Sequence, residues 1–256
     1  MPSDSDKYIE RKTFFNKLLT IYGRKPVLEA LQDKDLSAYK LHLADSNKPA
    51  SILSDILALA ERKGIEIQYH DKKALSRISK NGKQDQGIAL DIHMPGFMDY
   101  RECLENPPVA AEFIAVDSVT NPQNLGMIIR SVCASSFAGL IIPEKGCAKL
   151  DSLVIKASAG TLFKTPIIRC DTLASCLTAF RQNGFDVLSL MVDAPTPLRE
   201  WRNTKGTVYV LGNETQGVSD AVQKHCNHAV SIPMNNGVES LNVAVTASLI
   251  CFRNQV

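Results

Sequence analysis

The chain has 256 residues, 45% of them hydrophobic and 22% charged, and this near-average globular composition excludes wholesale disorder. With 29 Lys and Arg against 27 Asp and Glu the formal net charge is +2, so any contact with nucleic acid must come from local basic clusters. No apolar run reaches the roughly 18–20 residues that a membrane-spanning helix needs, and seven scattered cysteines without a CxxC pair favour neither a zinc site nor a disulfide framework. The charged first residues lack the apolar core of a secretory signal, so we expect a cytoplasmic protein with no membrane association.

Residues 19–92 are predicted to form a small α/β domain. Short strands are predicted at 41–44, 65–69 and 86–92. Residues 21–31 are predicted to be a short loop that opens a helix, and apolar residues at helical spacing predict a second helix over 50–63. Residues 1–18 precede this domain as a basic extension, and the Pro-Gly and Pro-Pro pairs within 93–112 predict a linker after it.

Two basic clusters lie in the first third of the chain, at 7–25 and 71–83. Such clusters can neutralise phosphates, although a solvated helix face is the alternative interpretation. Four residues of these clusters are our candidates for contacts with nucleic acid: Arg24, Lys72, Lys73 and Lys80.

Residues 113–256 carry a longer series in which short apolar strands alternate with amphipathic helices. The predicted strands are 113–117, 139–142, 166–169, 185–192, 207–211 and 229–232. The predicted helices are 124–137, 151–158, 172–183, 218–226 and 240–253. This order predicts an α/β fold with a mostly parallel sheet and helices on both faces.

Three polar, glycine-bearing segments follow predicted strands, at 120–126, 211–217 and 231–243. Ligands bind at the carboxyl ends of strands in open α/β sheets, so these loops are candidates for a site. Neither the GxGxxG nor the GxxxxGK[ST] phosphate-binding pattern is present. His225 and His228 have no third ligand nearby in the sequence, and we expect no metal site.

The three loops contain, in order, N-P-x-N-L-G-x(3)-R, L-G-N-E-x-x-G and S-I-P-M-x(5)-S-L-N-V. This ordered set resembles the motifs of the SpoU (TrmH) family of RNA 2′-O-ribose methyltransferases. The resemblance is close over 113–256. It is weaker over 19–92, which looks like the small substrate-binding domain of the ribosomal-RNA guanosine-2′-O-methyltransferases in that family.

The resemblance implies a deep trefoil knot in the C-terminal part of the sheet, an arrangement that ordinary topology rules count as almost absent. It also implies S-adenosyl-L-methionine as cofactor and a homodimer formed by the knotted domains. The implied reaction is methylation of a ribose 2′-hydroxyl in structured RNA, for which we expect large-subunit ribosomal RNA of the 23S type. Transfer RNA as substrate and a catalytically inactive RNA-binding homologue are the alternatives.

The family's functional residues carry over by matching position. The catalytic candidates are Arg130, Glu214, Asn242, Ser240 and Asn124. The cofactor-binding candidates are Leu211, Gly212, Glu214, Gly217, Ile232, Met234 and Leu241.

Arg130 matches the residue to which the family assigns removal of the hydroxyl proton. A guanidinium stays protonated at neutral pH and resists deprotonation. We therefore interpret Arg130 as a group that binds the phosphate beside the target ribose and stabilises developing alkoxide charge, with Glu214 or a water as proton acceptor. Glu239 stands before Ser240, where the family more often has a small residue, and adds negative charge near the site.

Overall fold

The computed structural model describes residues 14–254 apart from 16, 35, 95, 108, 109 and 214. The chain passes from a first compact unit to a second at residues 95–96. Most of the predicted extension at 1–18 lies outside the described residues.

The first unit is built on a four-stranded sheet in the order β1-β4-β2-β3. Its elements are β1 Leu18–Tyr22, α1 Arg24–Gln32, β2 Ser37–Ala44, α2 Ser51–Arg62, β3 Glu66–His70, α3 Lys72–Ser79 and β4 Ile88–His93. Strand β4 is antiparallel to β1 and β2, while β3 is parallel to β2. The loops that follow β1, β2 and β3 and the loop that precedes β4 therefore lie at one end of this sheet.

The strands and helices predicted for this unit are confirmed by β2, β3, β4, α1 and α2. The sequence pattern does not predict strand β1, whose last residues Ile21 and Tyr22 fall in the predicted loop, or helix α3, which is short and basic. A local signal for α3 exists in Asp71, whose side chain accepts hydrogen bonds from the backbone N–H groups of Lys73 and Ala74 at 2.8 Å each. An Asp at this position satisfies N–H groups that the first helical turn leaves unpaired.

The second unit contains an eight-stranded sheet in the order β10-β12-β9-β11-β6-β7-β8-β5. Its strands are β5 Phe97–Asp99, β6 Glu112–Val116, β7 Gly139–Pro143, β8 Ile167–Cys170, β9 Asp186–Leu190, β10 Thr196–Pro197, β11 Thr207–Leu211 and β12 His228–Ser231. Its α-helices are α4 Tyr100–Glu105, α5 Pro122–Cys133, α6 Ser152–Ala157, α7 Leu173–Gln182, α8 Asp220–Gln223 and α9 Val243–Phe252. Each neighbouring pair of strands is parallel.

The α/β class and the parallel sheet flanked by helices are confirmed. Three aromatic rings join the sheet to α7, with ring centroids 5.3 Å apart for Phe113 and Phe180 and 5.0 Å apart for Phe180 and Phe185. Helix α9 begins at Val243 because Asn242 is its N-cap, three residues later than predicted. The threading of a trefoil knot stays a prediction. Among the described residues no helix combines the length and apolar character needed to cross a bilayer.

The linker predicted at 93–112 is corrected by the structure. Strand β5 and helix α4 lie inside that range, and β5 pairs with β8 at the edge of the large sheet. Phe97 is fully buried, so this segment contributes to the core of the second unit. The Pro and Gly residues that favoured a linker flank this segment instead of occupying it.

Candidate active site

A cleft of about 560 Å³ lies at the carboxyl ends of β9, β11 and β12. These strands are neighbours in the sheet, so the loops that leave them are brought together. The lining comes from 190–193, 211–213, 215–218, 232, 234 and 239–241, with Gln223 on α8 and two residues of α9, Val243 and Thr246. Two of the three loops singled out in the sequence therefore form this cleft.

Most of the predicted cofactor residues line the cleft together. They are Leu211, Gly212, Gly217, Ile232, Met234 and Leu241. Ser240, predicted as catalytic, lines it as well. Glu214, predicted for both roles, lies outside the described residues.

The segment after β11 closes tightly on itself. Asn213 and Gly217 exchange two backbone hydrogen bonds, of 3.0 and 2.8 Å. A Cβ atom on Gly212 would lie 1.9 Å from the carbonyl carbon of Gly217 and 2.1 Å from the nitrogen of Val218. Only glycine fits at position 212, because the two arms of this turn touch through their backbones.

Asn124 and Asn242 are brought together from α5 and the start of α9. The Asn242 amide donates to Asn124 Oδ1 at 3.1 Å, and Asn242 Oδ1 accepts from the backbone N–H of Ala244 at 2.9 Å. Asn124 is buried. Neither Asn124 nor Asn242 is among the described residues that line the cleft. Their contact instead fixes the start of α9, and two residues of that helix, Val243 and Thr246, line the cleft.

Arg130 lies two turns along α5 from the helix start and is exposed. The structure gives it no ion pair with a described residue, and it is not part of the described cleft lining. Its guanidinium is therefore available to a partner outside the described part of this chain.

The sequence did not single out the loop after β9. Leu190, Met191, Val192 and Asp193 form one wall of the cleft. The sequence predicts strand β9 itself. It does not predict that the carboxyl end of β9 lies beside the carboxyl ends of β11 and β12, because this depends on the order of the strands in the sheet. Glu239, noted in the sequence, is also at the cleft.

The four candidate RNA-binding residues share one end of the small sheet. Arg24 follows β1, Lys72 and Lys73 follow β3, and Lys80 stands in the connection that leads into β4. The guanidinium of Arg24 donates to Asn47 Oδ1 at 3.2 Å, and its backbone N–H donates to Gln86 Oε1 at 2.9 Å. The three lysines are exposed.

Comparison with known proteins identifies the class. Residues 112–252 match the SpoU rRNA methylase family, and residues 20–98 match the substrate-binding domain of RNA 2′-O ribose methyltransferases. The first match covers more than half of the chain, and the chain belongs to the SpoU rRNA methylase family.

Individual relatives agree with this assignment. Two relatives are named as uncharacterized tRNA/rRNA methyltransferases, one from Mycolicibacterium smegmatis and one from Mycobacterium leprae. Each is 32% identical to this chain over 90% of its length, and the match covers 74% of the first relative and 75% of the second. The AdoMet-bound rRNA methyltransferase of Sinorhizobium meliloti shares the fold, with a TM-score of 0.64 at 20% identity over 100% of this chain and 98% of that one. The TrmH/SpoU tRNA modifying enzyme of A. aeolicus has a TM-score of 0.51 at 29% identity over 61% of this chain and 79% of that one. The protein is an RNA methyltransferase that uses S-adenosyl-L-methionine.

The cleft fits this cofactor chemically. Its volume falls within the range of about 300–1,000 Å³ typical of small-molecule sites. Leu211, Ile232 and Leu241 offer apolar surface, and the carboxylates of Asp193 and Glu239 complement a ligand that carries a sulfonium and an ammonium. No group of three or more metal-ligating side chains occurs among the described residues.

We predict that Gly212→Ala abolishes cofactor binding, because the added Cβ collides with the backbone of the turn that lines the cleft. Calorimetry with S-adenosyl-L-methionine measures the loss. Gly160→Ala is the control, since Gly160 has a positive φ, 79°, that strains the substitution but has open space at the Cβ position, so it separates backbone strain from collision. Unchanged affinity in Gly212→Ala would contradict the role of this close approach.

A second prediction separates the two contacts of Asn242. Asn242→Ala should lose about 1 kcal/mol of stability through loss of the helix cap. Asn242→Asp keeps an acceptor for Ala244 N–H but no longer donates to Asn124. It should therefore be more stable than Asn242→Ala and still methylate RNA more slowly than the wild type. Chemical denaturation and single-turnover methyl transfer report the two effects. An Asn242→Asp enzyme with the wild-type rate would show that catalysis does not need the bond between Asn242 and Asn124.

Proposed function

We propose that the chain methylates a ribose 2′-hydroxyl in structured RNA, and that the substrate is large-subunit ribosomal RNA of the 23S type. The observation that carries the proposal is the convergence of two of its three motif loops on one cleft, with the third motif, on α5, joined to α9 by the contact between Asn124 and Asn242. The match of residues 20–98 to a 2′-O ribose methyltransferase substrate-binding domain supports the ribose as the target.

The chain must align the attacking oxygen with the methyl group and accept a proton. When bound, the cofactor supplies a methyl group already activated by its sulfonium. Precise alignment can contribute on the order of 7–11 kcal/mol to lowering the barrier. In this proposal Arg130 binds the phosphate beside the target ribose through paired N–H donors and stabilises negative charge on the 2′-oxygen. Glu214 or a water takes the proton, and Ser240, at the cleft, orients the hydroxyl.

The small domain supplies further contacts to RNA in this proposal. Arg24, Lys72, Lys73 and Lys80 present positive charge at one end of its sheet, where neighbouring loops are joined by hydrogen bonds. Asn47 donates to the carbonyl of Gly87 at 2.6 Å while it accepts from Arg24. This bonding holds the loops in place before RNA arrives and so lowers the entropy cost of binding.

We also propose that the chain acts as a homodimer through α5 and α9. These helices pack together, with the hydroxyls of Ser131 and Ser248 at 2.8 Å. On either side of that contact Met127, Val245 and Leu249 leave 42–48% of their surfaces exposed. A second copy would cover these apolar side chains, and light scattering that gives twice 28.1 kDa would support it.

Transfer RNA is the second candidate substrate, favoured by the likeness to the A. aeolicus tRNA modifying enzyme. A cytoplasmic location suits either RNA and agrees with cysteines that are all free thiols.

Mapping of 2′-O-methyl groups in RNA from a deletion strain tests the substrate. We expect one 2′-O-methyl nucleotide to be lost from large-subunit ribosomal RNA and restored by the plasmid-borne gene. Loss from transfer RNA instead would select the second candidate. Loss of a methyl group from a base would contradict the 2′-O assignment.

Arg130→Ala should lower methyl transfer by roughly 100-fold or more, because a developing negative charge loses its stabilising donors. Cofactor affinity should stay close to that of the wild type, since the partner of Arg130 is RNA. Tritium transfer to RNA and calorimetry measure the two quantities, with Arg181→Ala, an exposed arginine on α7, as the control. A large loss of cofactor affinity in Arg130→Ala would contradict this role.

Removal of the charges of Lys72, Lys73 and Lys80 should weaken RNA binding and flatten its salt dependence, by roughly 0.7–0.9 log units of slope for each phosphate that is no longer neutralised. The matched control removes Lys34, Arg62 and Lys63, which are exposed at the other end of the small domain, where α1 and α2 finish. Equal slopes for the two triple variants would show that the cluster is only a solvated surface.

A further inference from the structure

The segment that follows β6, Asp117–Ser118, contacts both ends of the turn that lines the cleft. Asp117 Oδ2 accepts a hydrogen bond of 2.8 Å from the backbone N–H of Ser219, just after the turn. The carbonyl of Ser118 accepts one of 3.1 Å from the side-chain amide of Asn213, at the start of the turn. The backbone N–H of Asp117 also donates to the carbonyl of Leu211 at 2.8 Å.

Asp117 is a buried carboxylate that none of the described cations pairs with. Only 8% of its surface is exposed, and its second oxygen accepts from the hydroxyl of Ser118 at 3.1 Å. A buried carboxylate requires hydrogen-bond donors, and here they come from the backbone of Ser219 and from the neighbouring hydroxyl. The burial of the Asp117 carboxylate therefore depends on the position of the turn, and the same hydrogen bond from Ser219 holds the turn in place.

Ser118 has a left-handed backbone conformation with φ of 59°. A residue with a side chain rarely adopts this conformation unless the surrounding contacts require it, and such residues concentrate at functional sites. In this conformation the backbone carbonyl of Ser118 accepts the hydrogen bond from the Asn213 amide.

Among the described residues, the other hydrogen bonds of the turn come from within it or from just after it, where Gln223 Nε2 donates to the Val218 carbonyl at 2.7 Å. Asn213 Oδ1 accepts from the backbone N–H of Thr215 at 2.9 Å, and the two backbone hydrogen bonds between Asn213 and Gly217 are also internal to the turn. Internal bonds fix the shape of the turn, whereas Asp117 and Ser118 fix where it stands relative to β6.

We propose that Asp117 is a positioning residue for cofactor binding, which together with Ser118 holds the 211–218 turn against β6 so that the turn presents its backbone to S-adenosyl-L-methionine. Asp117 does not line the cleft among its described residues, so it acts through the turn. The proposal rests on the assignment of this cleft to the cofactor.

Calorimetric titration of the full-length chain with S-adenosyl-L-methionine tests the proposal. Asp117→Ala should weaken binding by roughly tenfold or more, which corresponds to the loss of about one hydrogen bond to a charged acceptor. Asp117→Asn keeps an oxygen for Ser219 N–H and can donate its amide to Ser118 Oγ, so its affinity should return to within roughly threefold of wild type. RNA affinity should be the same in all variants.

Asp186→Ala is the matched control. Asp186 is a carboxylate of the same unit with 5% of its surface exposed, but it stands at the start of β9, at the opposite edge of the sheet, where it pairs with Lys205. Its removal should lower stability and leave cofactor affinity unchanged. Equal loss of affinity in Asp186→Ala and Asp117→Ala, wild-type affinity in Asp117→Ala, or failure of Asp117→Asn to restore binding would overturn the proposal.

Asn213→Asp provides a test should Asp117→Ala fail to fold. It keeps the acceptor for Thr215 N–H and removes the donor to the Ser118 carbonyl, so it should also weaken cofactor binding, and wild-type affinity in this variant would overturn the proposal. Absence of cofactor binding by the wild-type chain would instead contradict the proposed function of the cleft.

Discussion

Parallel pairing of β9, β11 and β12 is the constraint on which the site depends. Parallel strands place all their carboxyl ends at one edge, so loops that are distant in the sequence emerge side by side. The register aligns Val187 of β9 with Val208 of β11, and His228 of β12 with Leu188 of β9. The cleft is therefore lined by segments that are far apart in the sequence, and its shape depends on contacts between their loops.

Those contacts are made mainly by backbone groups and short side chains. Gly212 lies against Gly217 without room for a Cβ, Asn213 bonds within its own turn, and Asn242 caps α9 while it contacts Asn124. Such groups have few rotamers, so their positions are well defined before a ligand binds. The acidic side chains at the cleft, in contrast, are suited to complementing a cation.

The sequence predicted the parts of this site that have a local signal. Strand ends followed by Gly, Asn and Pro located the loops at 211–217 and 231–243, and matching positions located Gly212, Ile232 and Leu241 at the cleft. Contacts between distant residues could not be predicted, because they depend on strand order. The wall at 190–193 is one example, and the segment at 97–105 is another, since β5 joins the sheet only through its pairing with β8. The role of Asn242 as a helix cap has a local signal, but its partner is 118 positions earlier in the chain.

That separation has a consequence for how the protein is made. The contact between Asn124 and Asn242 spans 118 positions and the contact between Asp117 and Ser219 spans 102, so the cleft cannot assemble until nearly all of the second unit has been synthesised. Closing such long loops costs conformational entropy before any stabilising contact forms, so we expect the second unit to fold slowly. A ligand that binds only the completed cleft stabilises the folded state by mass action. The methyl donor therefore raises the free energy of unfolding of the completed unit, by an amount that grows with the donor's concentration.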